Sequence, residues 1–364
     1  MCYIPHSATD GVSGGGPYNA LKPADYFRVR GRDKFHSEMG MPAVMNYENL
    51  VRAMGEDAVE PFNALAHPNP MYGLHDYTLG RLANSAQQAE SFNELLVNAF
   101  GEPADAKQFT QLAQWINYDG YRAMFESRGQ YRRGLLLWMS HPAWPSMVWQ
   151  TYDYFFEPTG AYFGCKKACE PIHIQLNLLT REVEVVNYHA GDRTGLTAKV
   201  SVLDMNGKVL DGFEGTLDLP EDSTAIVTAL PVPADVTPVY YVKLQLSDAS
   251  GTPLSTNFYV QGKEEGNLQA LNGLGKASVK ASFSGTGPWK VTLTNDGDVP
   301  ALMLRLKLVS KSTGEMVLPV IYSDNYFSLM PGESREIAIE AAPEDLSGPA
   351  GLEVSGFNLD PKTF

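Results

Sequence analysis

Residues 133–145 read RGLLLWMSHPAWP, and the five residues 135–139 within them are all apolar. A short continuous apolar run bounded by glycine and serine is typical of a strand buried on both faces, as in a parallel sheet that helices cover. The run therefore predicts α/β structure in this part of the chain.

A second strand of the same kind is predicted upstream, in residues 35–42, FHSEMGMP. Glu38 lies among apolar residues there, and Gly40 and Pro42 break the chain just after it. An acid at a strand end that faces a cleft is a common way to place a catalytic carboxylate. Many such acids instead cap a helix or pair with an arginine, so these residues alone leave both roles open.

Helical patterns separate the two strands. NYENLVRAM has an N-cap candidate at Asn46, and residues 85–101 and 104–129 repeat apolar side chains at helical spacing. The Gly-, Pro- and Ser-rich amino terminus reads as a long loop that leads into the strand at Phe35. We assign residues 1–170 to an α/β unit.

From about Pro171 the apolar residues alternate, which is typical of strands with one buried face. A hairpin turn is predicted at Asn206-Gly207, and Leu302, Leu304, Leu306 and Leu308 mark one face of a later strand. The pattern predicts two immunoglobulin-like β-sandwiches, at residues 171–262 and 263–364, with the Gly-rich NLQALNGLGK near their boundary. The fold class is therefore α/β plus all-β.

Composition limits the partners. A formal net charge of -14 argues against a nucleic-acid ligand, which requires clustered lysine and arginine. No run approaches the roughly 18 apolar residues of a membrane span, and the amino terminus lacks the pattern of a signal peptide. Cys165 and Cys169 are four residues apart, which favours a thiol pair in a core over a metal site. No spacing indicates a metal or nucleotide cofactor.

Several motifs together resemble glycoside hydrolase family 2, in its branch of exo-β-glucosaminidases and mannosidases. They are Trp138, the pair Trp144-Pro145, a Tyr-Asp-Tyr, the run AYFGCKKACEPIHIQ, and, near the carboxyl end, YSDNYFSLMPGESREI. FHSEMGMP resembles the family segment whose glutamate is the nucleophile, and that glutamate corresponds to Glu38. The resemblance implies that residues 1–170 are the carboxyl-terminal portion of a (β/α)8 barrel, followed by two immunoglobulin-like domains.

One element of the family pattern is missing. A retaining glycosidase needs two carboxylates about 5 to 5.5 Å apart. The family's acid/base glutamate lies in an Asn-Glu pair upstream of the nucleophile, whereas Asn93-Glu94 follows Glu38 inside a predicted helix. A (β/α)8 barrel also takes about 200 residues or more. The resemblance therefore implies that the acid is supplied from outside this chain, by an amino-terminal half of the enzyme.

The resemblance implies a terminal β-linked sugar, such as glucosamine, mannose or galactose, as the substrate. It places Trp138 under the sugar ring, although barrel packing would also explain this residue. Further candidates for sugar contacts are Trp144, His75 and His141, each of which could instead shape a loop. Asp153 and Glu157 could touch substrate or satisfy backbone donors. Asp33, Asp76 and Asp153 remain as candidates for a second carboxylate within the chain.

An alternative from another class is a carbohydrate-binding or structural protein without catalytic activity, in which the sandwiches carry the function. Hydrolysis that depends on Glu38 would distinguish the two.

Overall fold

The computed structural model describes residues 5–7, 11–28, 35–62, 68–77, 89–127 and 134–364. The described chain is mostly β-structure with a few helices, and its helices lie in the first 170 residues apart from short 3-10 turns. The elements of this first part are β1 (Val12–Ser13), β2 (Phe35–Met39), α1 (Tyr47–Met54), α2 (Pro70–Leu74), α3 (Ala89–Phe100), α4 (Ala106–Glu126), β3 (Gly134–Leu137) and α5 (Gly160–Ala168), with 3-10 turns at Pro23–Arg28 and Glu56–Ala58.

The two predicted strands are confirmed and pair in parallel, in the order β1-β2-β3. The helices α1 to α4 lie between β2 and β3, as a parallel connection requires. The amino-terminal stretch, predicted as loop alone, also contains β1, where Val12 pairs with Phe35. A two-residue strand among glycines is too short to leave a periodic signal.

The prediction that β3 is buried on both faces is wrong. Leu136 is 55% exposed, and Leu135 and Leu137 are only half-buried. Within the described residues β3 pairs with β2 alone, so no described strand covers its outer edge.

The helices pack around α4, the longest of them. Asp105 caps α4 by accepting a hydrogen bond from the backbone N–H of Gln108 at 2.7 Å. Helix α5 lies close against it because Gly164 has no side chain: a Cβ there would sit 2.3 Å from the carbonyl oxygen of Tyr118. The predicted helical position of Asn93 and Glu94 is confirmed in α3.

The first sandwich consists of two antiparallel sheets, with strand orders β4-β5-β8 and β10-β9-β6-β7. The predicted Asn206-Gly207 turn is confirmed, and the Asp204 carboxylate accepts hydrogen bonds from the N–H groups of Asn206 and Lys208 within it. The strands are β4 (Ile172–Leu176), β5 (Glu182–Asn187), β6 (Arg193–Leu203), β7 (Val209–Leu219), β8 (Ser223–Ala229), β9 (Val239–Ser247) and β10 (Pro253–Gly262).

The second sandwich has strand orders β11-β12-β16-β14 and β15-β13-β17-β18. Of the four leucines predicted to share a face of β13, Leu304, Leu306 and Leu308 are buried in its core. Leu302 lies at a register irregularity of the strand and is buried in a different cluster, which also contains side chains from the first 170 residues. The strands are β11 (Val279–Ser284), β12 (Trp289–Asn295), β13 (Ala301–Ser310), β14 (Ile321–Tyr322), β15 (Phe327–Leu329), β16 (Ser334–Glu340), β17 (Ala350–Gly356) and β18 (Leu359–Thr363), with 3-10 turns at Gln269–Gly273 and Pro343–Asp345.

One hydrophobic core runs through all three parts. It joins Met39 of β2 to Tyr241 of the first sandwich and Met330 of the second. The Gly-rich boundary segment belongs to it as well, because Leu268 and Leu271 are buried there. This segment is therefore anchored by apolar side chains.

The prediction that Cys165 and Cys169 form a thiol pair in a core is wrong. Cys165 is half-buried in α5, and Cys169, at its end, is exposed.

Among the residues that the structure describes, no three or more His, Cys, Asp or Glu side chains are grouped to hold a metal ion. No described helix is long and apolar enough to cross a membrane.

Candidate active site

Glu38 lies at the carboxyl end of β2 and is half-buried. The hydroxyl of Tyr18, which follows β1, donates a hydrogen bond to Oε2 of Glu38. Burial, together with the hydrogen bond and the charge of Glu38, raises the pKa of Tyr18 to about 12. The hydroxyl therefore remains protonated at neutral pH and keeps donating to the carboxylate. Tyr18 was missed from the sequence, because its Gly-rich surroundings carry no pattern.

Trp149 holds Tyr18 in place. Its indole Nε1–H donates to the carbonyl oxygen of Tyr18 at 2.8 Å, and the two ring centroids are 5.0 Å apart. Gly40 makes room for this arrangement, because a Cβ there would lie 2.3 Å from the Trp138 carbonyl oxygen and 2.8 Å from Cβ of Trp149. The residue type at position 40 thus determines how closely the ends of β2 and β3 approach each other.

Trp138 is brought next to the strand that carries Glu38. Its backbone N–H donates to the carbonyl oxygen of Met39 at 2.9 Å, which continues the pairing of β2 and β3 beyond β3. The Trp138 indole is 43% exposed, so the structure does not place it in the packed core.

Trp144 and His75 form a pair at the same end of the sheet. Their rings stack with centroids 6.0 Å apart and an interplanar angle of 23°, and Trp144 is 45% exposed. Nδ1 of His75 lies 2.6 Å from the carbonyl oxygen of Pro145, and the His75 carbonyl accepts from the N–H of Met147 at 2.8 Å. These contacts fix the loop after β3 against the end of α2.

His141 forms a second pair, with Phe156. The rings are nearly parallel, with centroids 4.4 Å apart and an angle of 18°, and Phe156 is 56% exposed. The described contacts of His75, Trp144 and His141 are therefore with neighbouring loop residues. Sequence reasoning did not single out Phe156, which adopts a left-handed backbone at φ 65°.

The remaining acids have different surroundings. Asp153 is fully buried, and its Oδ1 accepts from the backbone N–H groups of Phe155 and Glu157 at 2.9 and 3.0 Å. Glu157 is buried too and bonds side chains of other elements, so both acids satisfy donors within the fold. Asp76 is half-buried, and burial raises its pKa. Asp33 lies outside the described residues.

Comparisons with known proteins match nearly the whole chain to one group of enzymes. Residues 257–359 match the exo-β-D-glucosaminidase Ig-fold domain family. An exo-β-D-glucosaminidase of Streptomyces avermitilis is 30% identical over 99% of this chain and 43% of its own length. A mannosylglycoprotein endo-β-mannosidase of Lilium longiflorum is 28% identical over 93% of this chain and 44% of its own length.

The solved structures agree. The crystal structure of the exo-chitosanase CsxA of Amycolatopsis orientalis matches with a TM-score of 0.85 and 26% identity, over 99% of this chain and 46% of that protein. The chain thus spans less than half the length of the relatives that it matches. Along nearly all of its own length, it is homologous to the exo-β-D-glucosaminidases of glycoside hydrolase family 2, which confirms the resemblance found in the sequence motifs.

Proposed function

We propose that this chain is the nucleophile-bearing, carboxyl-terminal part of a retaining β-glycoside hydrolase that acts on terminal β-linked sugars. Glucosamine is the favoured sugar because it appears in the names of several relatives, with mannose and galactose as alternatives. The observation that carries the proposal is Glu38, an acid at the carboxyl end of a parallel strand with a tyrosine hydroxyl donating to Oε2.

The parallel sheet supports a barrel origin for the first 170 residues. In a (β/α)8 barrel, catalytic residues come from the carboxyl ends of neighbouring parallel strands. Glu38 near the end of β2 and Trp138 just after β3 occupy such positions, with helices in the connection. We assign β1, β2 and β3 to consecutive strands of this barrel portion, with the two sandwiches as separate domains after it.

In the proposed reaction, Glu38 is the nucleophile. Its Oε1 attacks the anomeric carbon and forms a glycosyl ester as the bond to the leaving oxygen breaks. Tyr18 orients the carboxylate through Oε2. Water then cleaves the ester, so the sugar leaves with its original configuration and Glu38 regains its negative charge.

The exposed aromatic rings supply the sugar site. The apolar C–H face of a pyranose packs on an indole, which Trp138 and Trp144 present with 43% and 45% of their surface exposed. His75 and His141, stacked beside these loops, donate or accept hydrogen bonds with sugar hydroxyls.

The acid that protonates the leaving oxygen is supplied by a segment outside these 364 residues. Asp153 cannot serve without breaking its bonds to two backbone N–H groups and to Asn49. General acid assistance contributes about 10²- to 10⁴-fold to such reactions. The isolated chain should therefore act only on substrates whose leaving group departs without a proton.

The test uses the purified chain with dinitrophenyl β-glucosaminide and with a glucosamine disaccharide. We expect slow release of dinitrophenolate, a glycosyl ester on Glu38 detectable by mass spectrometry, and no cleavage of the disaccharide. Glu38→Gln should abolish the release, whereas Glu214→Gln, which alters an exposed carboxylate, should not.

Two results would contradict the proposal in different ways. Rapid cleavage of the disaccharide would show that this chain holds its own acid, with Asp76 and Asp33 as the next candidates. Sugar binding without any reaction at Glu38 would support the alternative of a carbohydrate-binding protein without catalytic activity.

A further inference from the structure

A buried ionic cluster connects the second sandwich to the loops around His141. Arg305 of β13 donates from Nη2 to Oε1 of Glu157 at 2.6 Å and from Nη1 to Oε2 of Glu48 at 3.1 Å. Only 14% of the Arg305 side chain and 7% of the Glu157 side chain are exposed. Charge-assisted bonds at this degree of burial are screened little by solvent and hold their partners in a defined geometry.

Glu157 is the last residue of a tight turn that begins at Asp153, and hydrogen bonds to Asp153 hold the conformation of this turn. Asp153 accepts from the N–H groups of Phe155 and Glu157 through Oδ1, and its carbonyl accepts from the N–H of Phe156 at 3.1 Å. Asn49 of α1 donates to both carboxylates, at 2.6 Å to Asp153 and 2.9 Å to Glu157. Both ends of the turn are therefore attached to α1, the helix that follows the Glu38 strand.

The turn presents Phe156 to His141. Phe156 adopts its left-handed backbone within the turn, and its exposed ring covers the imidazole of His141 at 4.4 Å. The backbone next to His141 is also bonded to the segment that precedes the turn. The carbonyl of Ser140 accepts hydrogen bonds from the N–H groups of Thr151 and Tyr152 at 2.9 and 3.0 Å. Any shift of the turn therefore moves the ring against which His141 stacks.

We propose that Arg305 is a positioning residue: from the second sandwich, it sets the position of the His141–Phe156 pair at the sugar site. The role of that pair in sugar binding rests on the proposed function. The structural link from Arg305 through Glu157 to the pair does not depend on that function. Burial raises the pKa of Glu157 to about 7, against the lowering effect of Arg305. The guanidinium therefore favours the charged form of Glu157 in its buried position.

The test follows the His141 ring directly. Stacking on Phe156 shifts the ring-proton NMR signals of His141 upfield, and His141→Gln identifies those signals in a histidine-labelled chain. Phe156→Ala should move them to the position of an exposed histidine such as His189, and Arg305→Met should move them most of that way. Arg305→Lys should restore part of the shift, because lysine keeps the charge but lacks the planar guanidinium that bonds Glu157 and Glu48 from two separate nitrogens.

Matched variants separate this role from a general effect on the sandwich. Arg335→Met removes another ion-paired arginine of the same sandwich, bonded to Asp324 at 2.7 Å, and should leave the His141 signals unchanged. Glu157→Gln removes the charge that Arg305 pairs with and puts an NH2 group in place of one of the two oxygens that accept from Arg305, Asn46 and Asn49. It therefore weakens the same link from the turn, and it should shift the His141 signals in the same direction as Arg305→Met. This second variant decides the question if Arg305→Met fails to fold.

The proposal is overturned if Arg305→Met or Glu157→Gln leaves the signals at their wild-type position while Phe156→Ala moves them. It is also overturned if Phe156→Ala has no effect. A glucosamine titration of the same samples addresses the proposed function separately. Weaker binding in Arg305→Met supports both ideas, and a wild-type chain that binds no glucosamine counts against the proposed function while the signal shifts still report the link.

Discussion

Tyr18 donates its hydroxyl hydrogen to Oε2 of Glu38 although the two residues are 20 positions apart in the sequence. The contact exists because β1 and β2 are neighbours and parallel, so the segments that follow them emerge at the same end of the sheet. The residue that orients the proposed nucleophile thus comes from the part of the chain whose composition reads as loop.

Tyr18→Phe should slow the formation of the glycosyl ester on Glu38 by about tenfold or more. The hydrogen bond holds the carboxylate in its orientation for attack, and a misplacement of about 1 Å can cost about 10²-fold in rate. The rate of ester formation from dinitrophenyl β-glucosaminide, followed by mass spectrometry, measures the effect. Tyr188→Phe, a change on the exposed surface of the first sandwich, is the control. An unchanged rate in Tyr18→Phe would remove Tyr18 from the proposed mechanism.

Gly40→Ala should destabilise the chain by about 1–3 kcal/mol, because an added methyl group collides with the Trp138 carbonyl and with Trp149. Urea unfolding followed by tryptophan fluorescence measures the change. The matched control is Gly273→Ala, where no atom lies within 4 Å of the added Cβ. Equal stability of the two variants would mean that the ends of β2 and β3 can separate at little cost.

His173 should make the stability of the chain depend on pH. It is buried between Glu126 and Glu170, with nitrogen–oxygen distances of 3.1 and 2.9 Å. Burial alone would lower the pKa of His173, but the hydrogen bonds to the two glutamates outweigh it and raise the pKa above its usual 6.5. The charged imidazole therefore contributes stability that is complete below about pH 6.5 and is lost as the pH rises through the raised value.

The free energy of unfolding of the wild-type chain should exceed that of His173→Gln by more at about pH 6 than at about pH 8.5. Urea unfolding at the two pH values measures the difference, and His189→Gln, with an exposed ring, serves as control. A difference that grows with pH would show that His173 is held in its neutral form.

Residues 1–170 expressed alone should aggregate. Tyr118 of α4 and Phe163 of α5 are buried in the core of the second sandwich, and Glu126 takes its hydrogen bonds from residues of the first. Without residues 171–364 these groups would face water, next to the uncovered edge of β3. Size-exclusion chromatography and thermal melting test this, with the full chain as reference. A monomeric fragment with a sharp melt would contradict it.

The sequence predicted the elements whose pattern repeats and missed those that depend on distant contacts. The shared face of Leu304, Leu306 and Leu308 in β13 and the helical setting of Asn93 follow from local periodicity, which one strand or helix displays by itself. The partner of Glu157 could not be predicted in this way, because Arg305 lies 148 positions away and only the folded chain brings them together. The motifs around Glu38 and Trp138 located the candidate site. The contact of Phe156 with His141 could not be predicted, because it depends on a turn in which Phe156 has a left-handed backbone.

The shared core has a consequence for recombination and engineering. Met39, Tyr241 and Met330 belong to one buried apolar cluster, which extends across three parts of the chain that look like exchangeable modules. A chimera that joins these two sandwiches to the α/β part of a distant relative would therefore contain cavities and clashes where the cluster crosses the junction. This holds even if the junction itself lies in a turn that tolerates substitution.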